Sequence, residues 1–305
     1  MSASPHEPGP TATVPGLGTL EASPSPEEIM TITASRLLGD HRVVFAGVGT
    51  PLLASAVAKR RQAPDLTIVL EGGIVGAELL AGALPISTNE MRAAYGAELL
   101  TDITDIFLFA QRGYFHYGFL GAAQVDRFGN VNTSIIGDPH APTVRLPGSG
   151  GANDIISLCN EVLIVTSHER RRFVERVDYV TSPGFLGGGR AREEAGLLSG
   201  GPRWVVTELA YLDFEPDGRR MRVVALQEGV DLDMVVARTG FELLVAEDLW
   251  TIPAPTAEEL AIYRSLTGAG ESSGAAAGSA PAAAAGPHPE PARSGERAVE
   301  EARPR

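Results

Sequence analysis

Apolar positions along this chain follow two habits: short runs bounded by turn formers, and residues spaced three and four apart. The first spaced set opens at Ser25-Pro26-Glu27-Glu28, where Ser25 can cap a helix, Pro26 suits its first turn and Glu28 completes a capping box. Met30, Ala34, Leu37 and Leu38 then share one helical face, and Gly39 suits the helix end. Residues 43–46 are a short apolar run that predicts a buried strand. It leads into Gly47-Val48-Gly49-Thr50-Pro51, with Thr50 placed to cap a second helix and Pro51 as its first residue. Leu53, Ala56 and Val57 continue that helix, and Lys59, Arg60 and Arg61 stand near its end, where the helix dipole favours cations. After a turn at Pro64-Asp65, residues 66–70 predict a second buried strand, which runs into Glu71-Gly72-Gly73.

A strand, a helix and a strand in this order predict parallel pairing with a right-handed crossover. The Gly47-Val48-Gly49 loop and Glu71 then share the carboxyl edge of the sheet, where open α/β sheets bind ligands. Further strands are expected at residues 106–109, 162–165, 204–207 and 221–226, and further helices at 230–238 and 257–266. The alternation indicates the α/β class.

Composition sets the limits of this body. Residues 1–24 are rich in Ser, Pro, Gly and Thr, and residues 268–305 in Ala, Gly, Pro and Ser. Neither holds enough apolar surface to offset the entropy of ordering it, so both are expected to be disordered tails around one folded domain at 25–267. Cys159 is the single cysteine of 305 residues, which excludes an internal disulfide framework and a cysteine metal cluster and suits a reducing cytoplasm. No basic stretch followed by an apolar run marks a signal peptide, and no apolar run is long enough to span a bilayer. A formal net charge of −13 argues against a nucleic-acid partner, and it means that a polyanionic ligand needs a local cluster of Arg.

Several segments have a chemical and a plain reading side by side. Gly47-Val48-Gly49 resembles the opening of a dinucleotide fingerprint, with Glu71 where a ribose-binding acid would stand, so a nicotinamide-dependent oxidoreductase is one reading. Leu52 at the third glycine position and the loss of a donor at Pro51 weigh against it, and a tight strand-to-helix turn accounts for the same residues. Glu71 is either a solvated loop residue or, if partly buried beside the loop amides, a nucleophile whose substrate oxyanion those amides hold. Residues 121–132 and 147–154 are either surface loops or, in the second case, an anion-binding nest of small residues. Residues 168–176 carry Arg170, Arg171, Arg172 and Arg176, a solvated charged face or a seat for phosphates or a carboxylate. His116, His140 and His168 show no metal-ligand spacing, and no metal site is expected.

Taken together, these segments resemble the β (B) subunits of the family I coenzyme A transferases, those of the glutaconate CoA-transferases in particular. The resemblance rests on Val48-Gly49-Thr50-Pro51-Leu52-Leu53, Ser55-Ala56-Val57-Ala58-Lys59-Arg60, Ala63-Pro64-Asp65 and Glu71 with its glycines. It continues through Ala123-Gln124-Val125-Asp126, Gly129-Asn130-Val131-Asn132, Ile136-Gly137-Asp138, Gly148-Ser149-Gly150-Gly151-Ala152-Asn153, Arg171-Arg172-Phe173 and Asp178-Tyr179-Val180-Thr181-Ser182-Pro183-Gly184. These lie in family order over most of residues 40–245 and decide against the oxidoreductase.

The resemblance implies an open, mostly parallel sheet flanked by helices, related to the ribose-phosphate isomerase group. It implies a separate α (A) subunit as partner, and acyl-CoA and a carboxylic acid as substrates. No metal or permanently bound cofactor is needed. Glu71 falls where the family has the carboxylate that attacks the thioester and then carries CoA as a glutamyl thioester. Positioning and an oxyanion hole must assist so weak a nucleophile, and the amides of Val48, Gly49 and either Gly150 or Gly151 are the candidates. Gly47, Gln124, Asn130, Ser149, Arg171 and Arg172 are expected to bind CoA or the acyl group. Residues 74–120 depart from the glutaconate enzyme, which leaves the substrate open. Relatives without the glutamate hydrolyse or decarboxylate CoA thioesters. A subunit with a purely assembling role is a third reading, against which the retained Glu71 and glycine loops stand.

Overall fold

The structure, a computed structural model, describes residues 23–197 and 199–268. The expected tails lie outside the described residues, but for residues 23, 24 and 268.

Helix α1 (Pro26–Ser35) opens with the expected capping box: Ser25 Oγ accepts from the Glu28 amide at 3.2 Å and the Glu28 carboxylate accepts from the Ser25 amide at 2.8 Å. It stops four residues before Gly39, because Leu37 and Leu38 turn back in tighter bonds to the carbonyls of Ala34 and Ser35. Strand β1 (Val43–Phe45) follows, then α2 (Thr50–Arg61). Gly49, not Thr50, is the N-cap of α2. Its φ of 79° and ψ of −139° suit a residue without a β-carbon, and Thr50 and Pro51 become the first two helical residues. Next come β2 (Thr67–Leu70), β3 (Ile74–Val75), a 3-10 turn at Met91–Ala94 and β4 (Leu99–Leu100).

Residues 106–109, expected as a strand, lie inside helix α3 (Ile103–Gln111). Asp102 caps it by accepting from the Asp105 amide at 3.0 Å, and Ile106 and Ala110, four apart, are buried. The chain continues through β5 (Tyr117–Gly121) and two small hairpins, β6 (Gln124–Val125) with β7 (Val131–Asn132) and β8 (Ile135–Asp138) with β9 (Ala141–Arg145). Then come α4 (Ala152–Leu158), β10 (Glu161–Val165), α5 (Ala191–Glu194), β11 (Pro202–Val206), β12 (Ala210–Phe214), β13 (Met221–Gln227), α6 (Leu232–Ala237), β14 (Leu244–Ile252) and α7 (Ala257–Thr267).

Ten strands form one sheet in the order β14-β13-β12-β11-β10-β5-β1-β2-β3-β4. Its centre, from β11 to β2, is parallel throughout, and antiparallel pairs extend it on both sides. Strand alternation divides the core between two layers. Val44, Ile68, Leu70, Phe119 and Leu163 pack on one face with Ala34 of α1 and Leu52, Ala54 and Ala58 of α2. Phe45, Val69, Leu120 and Val162 pack on the other with Ile106 of α3 and Ile155 and Ile156 of α4. Helix α7 lies over α1 and α2 through Leu260, Tyr263 and Leu266.

This winding positions the site. From β1 the chain crosses one face through α2 to reach β2, then returns across the other through α3 to reach β5, on the opposite side of β1. The loops leaving β1 and β5 therefore diverge, which opens a crevice at the carboxyl edge.

Candidate active site

A cavity of about 830 Å³ occupies that crevice. Gly47 and Val48 reach it from the end of β1, Glu71 from the end of β2, Gly121 and Ala122 from the end of β5 and Val165 from the end of β10. Gly148, Ser149 and Ala152 close it from the loop that leads into α4. Thr50 and Pro51 also line it, so the amino end of α2 faces the cavity. Its cap brings no side-chain acceptor, which leaves the positive pole of the helix to a ligand.

Glu71 is half-buried, and among the described residues its carboxylate has no hydrogen-bond or ion-pair partner. It lies against Gly151: a β-carbon there would stand 3.0 Å from Glu71 Oε1 and 3.0 Å from Phe107 Cζ. Glycine is thus what lets the carboxylate approach the backbone at the start of α4. The loop before it is pinned. Thr133 Oγ1 donates to the Gly148 carbonyl at 2.8 Å, the Gly148 amide donates to the Thr133 carbonyl at 2.9 Å, and Ser149 Oγ accepts from the Asn153 amide at 3.2 Å.

Among the expected site residues, Gly47, Val48, Glu71, Ser149 and Arg172 line one cavity. Gly49 and Gly150 adjoin it in the chain, in the left-handed region at φ 79° and 48°. Gln124 and Asn130 are buried elsewhere. The Gln124 amide donates to Asp178 at 3.0 Å and accepts from Asn132 at 2.7 Å, and Asn130 Oδ1 accepts from the amides of Gly184 and Leu186. Both tie the β6–β7 hairpin to residues 178–186, so the structure does not bring them to the cavity. Beside Asn130, burial pushes the Asp126 carboxyl above its usual value, against the hydrogen bonds it accepts from Asn130 and Phe128.

The two arginines expected to act together are separated. Arg171 is exposed and paired with Glu169. Arg172 reaches the cavity wall, where Nη1 donates to the Ala122 carbonyl at 2.8 Å. Behind it, Phe173 stacks on His168 at 4.2 Å between ring centres. Burial and the Arg238 charge push His168 down to about 4, so the ring is neutral where it meets the hydroxyls of Thr207 and Thr239. That histidine supports the loop and does not enter the cavity. Asp40, His41 and Asp65 gather at the amino edge of β1 and β2, on the other side of the sheet.

Sequence reasoning missed Phe107, hidden in the segment read as a strand, and residues 86–88, which wall the cavity beside Glu71. Gly72 carries the only signal for the latter: a β-carbon there would meet the Thr88 carbonyl oxygen at 2.5 Å.

Known proteins resemble this chain over most of its length. The sequence profile described as Coenzyme A transferase matches residues 27–238. The B-type subunit of 3-oxoadipate CoA-transferase from Pseudomonas knackmussii is 38% identical over 243 residues, 79% of this chain and 93% of that protein. The B-type subunit of glutaconate CoA-transferase from Acidaminococcus fermentans is 33% identical over 252 residues, covering 81% and 93%. The crystal structure of that glutaconate enzyme superposes with a TM-score of 0.76 over 81% of this chain and 96% of the solved one. The IpdB subunit of a cholesterol ring-cleaving hydrolase from Rhodococcus jostii is 27% identical over 237 residues, 73% and 87%.

Proposed function

The chain belongs to the coenzyme A transferase family as a subunit of the B type, and from that premise we propose that Glu71 carries CoA between two acids. The observation that carries this is the placement of Glu71: half-buried in the cavity, without a partner among the described residues, and held against Gly151 at the carboxyl edge of the sheet.

A Glu71 oxygen attacks the thioester carbonyl, the carbon–sulfur bond breaks, and an acyl-glutamyl anhydride and CoA thiolate result. The thiolate then attacks the glutamyl carbonyl, expels the donor acid as its carboxylate, and leaves CoA on Glu71 as a thioester. The acceptor carboxylate attacks that carbonyl, CoA thiolate leaves again, and it attacks the acyl carbon of the new anhydride to give the new acyl-CoA and free Glu71. Each tetrahedral intermediate carries an oxyanion. The Val48 and Gly49 amides at the amino end of α2, with Gly150 or Gly151 opposite, are the donors we assign to it. CoA thioesters are substrates here, and the chain's own carboxylate supplies the covalent step.

The partner is an A-type subunit. Ile86, beside the cavity, is 84% exposed, and Met91 in the 3-10 turn, Leu99 and Leu100 of the last strand and Ile103 at the start of α3 are exposed apolar side chains in the same stretch of chain. A cover of this kind suits a cavity that must exclude water from an anhydride. Among the described residues no helix is long and apolar enough to cross a membrane. We place the enzyme in the cytoplasm, where CoA thioesters and a reduced Cys159 both fit.

The test is Glu71→Gln in the complex co-expressed with its A-type partner. Transfer should fall by about four orders of magnitude, while complex formation and melting temperature hold. Wild-type enzyme incubated with acyl-CoA alone should lose activity to hydroxylamine, with a hydroxamate on the tryptic peptide 62–92. Near-normal turnover in Glu71→Gln, or an adduct on another peptide, would sink the assignment.

A further inference from the structure

Among the described residues, Glu71 and Arg172 are the only ionisable side chains on the cavity wall. They make no ion pair with each other, so one free anion and one cation share a space lined elsewhere by apolar side chains, Val48, Leu146 and Val165 among them, and by five Ser and Thr residues. We propose that Arg172 selects the substrate: it pairs with a second, free carboxylate at the far end of the acyl group, so the acids exchanged are short dicarboxylic acids. This rests on the reading of Glu71 as the nucleophile and adds what the nucleophile is given.

Three features distinguish Arg172 from an ordinary surface arginine. Its base is rigid: the Arg172 carbonyl accepts from the Val125 amide at 2.7 Å, and the next residue, Phe173, is fully buried. Its guanidinium is aimed, because Nη1 is fixed on the Ala122 carbonyl at the end of β5, whose loop forms one cavity wall. Its charge is only partly answered. Glu169 stands 3.5 Å from Nε but is held more closely by Arg171, and Nη2 has no partner among the described residues. An anchored guanidinium with an open edge matches a carboxylate, which it can hold with two hydrogen bonds.

The number of charges also decides between ligands. CoA brings several phosphate charges and would call for several cations. This wall offers one, which suits a single carboxylate. The apolar side chains that share this wall suit the methylenes that join a thioester carbonyl to a distal acid group.

The experiment compares kcat/KM of the co-expressed complex across length-matched thioesters: succinyl-, glutaryl- and adipyl-CoA against butyryl-, valeryl- and hexanoyl-CoA. Wild type should favour at least one dicarboxylic member over its matched partner by about 100-fold, since only that member gives the open edge of the guanidinium a carboxylate to hold. In Arg172→Met that ratio should collapse to within about threefold of unity, and Arg172→Lys should restore part of it. A general loss of folding or of CoA binding would lower both series together and leave the ratio alone. The proposal is overturned if wild type shows no dicarboxylic preference, if Arg172→Met keeps it, or if both series fall in parallel. Hydroxylamine trapping on peptide 62–92 separates the two readings. An adduct without the preference removes only the role of Arg172, and no adduct with any thioester removes the role of Glu71.

Discussion

A single methyl group at Gly151 would be felt by Glu71, the proposed nucleophile. The backbone there has φ −78°, which alanine adopts without strain, so Gly151→Ala tests proximity alone. Its β-carbon would stand 3.0 Å from Glu71 Oε1, tighter than ordinary contact, and the carboxylate must yield by a few tenths of an ångström. We expect kcat to fall about 10- to 100-fold with little change in melting temperature, because reacting atoms tolerate little misplacement. Unchanged kcat would mean that Glu71 does not work from its position against this glycine. Residue by residue, the site was only partly legible. Strand-end geometry put Glu71 beside the glycine loops, and the structure keeps it there. Gln124 and Asn130 share the chemistry of ligand-binding residues, but buried loops need the same amide groups to satisfy their own backbone. Nothing in the sequence distinguishes these two uses, nor shows which of two adjacent arginines faces inward.

Elements were legible where pattern and punctuation agreed. The β1–α2–β2 unit has apolar runs bounded by glycine and proline, and its parallel pairing was foreseen. Strand β5 was missed because Gly118 and Gly121 weaken its strand character. The fold requires Gly118, since a β-carbon there would lie 2.6 Å from Ile155 on α4 and 2.9 Å from the sulfur of Cys159, which caps that helix. In α3, apolar residues on the four consecutive positions 106–109 hid a helical period that the Asp102 cap could have revealed. Edge strand β14 carries Glu247 and Asp248, which protect an open edge but break the expected apolar run.

Helix α7 tests the element scale. Its Glu259 is fully buried between Arg36 at 2.7 Å and Arg61 at 2.9 Å. Burial pushes this carboxyl up, but the hydrogen bonds from Arg36 and Thr256 outweigh it and hold it at about 2. The folded value lies below the unfolded one, so the stabilisation is complete above pH 4.5 and disappears as pH falls towards 2. Glu259→Gln should cost about 3 kcal/mol at neutral pH by urea unfolding, with the gap to wild type narrowing below pH 4.5. A gap that stays constant down to pH 3 would contradict the ionic docking of α7.

At the scale of the molecule, the apolar surface beside the cavity carries the partner prediction. Met91 and Leu100 are 82% and 60% exposed, so charging them should not disturb this chain's own core. Met91→Asp with Leu100→Asp should weaken association with the A-type partner by at least about tenfold and lower transfer in proportion, while the melting temperature of the separate chain is kept. Titration by analytical ultracentrifugation would show it, and unchanged association would place the partner on another surface. Residues 74–120 read in the sequence as departing from the glutaconate enzyme. They supply this surface and the wall at 86–88, and no periodic pattern announces a surface meant for another protein.

Strand β5 also dictates when the site comes into being. Tyr117 pairs with Val44 on one side and with Glu161 on the other, so the central strand joins neighbours far from it along the chain. While the protein is being synthesised, β1, α2 and β2 can assemble from local contacts, but the free edge of β1 must wait for residue 117 to emerge. The far edge of β5 waits in turn for residue 161. Non-local parallel pairing of this kind is slow and leaves sticky edges uncovered meanwhile. The glutamate to which we assign the chemistry is therefore present early in the nascent chain, but the pocket around it closes only after half of the polypeptide has been made.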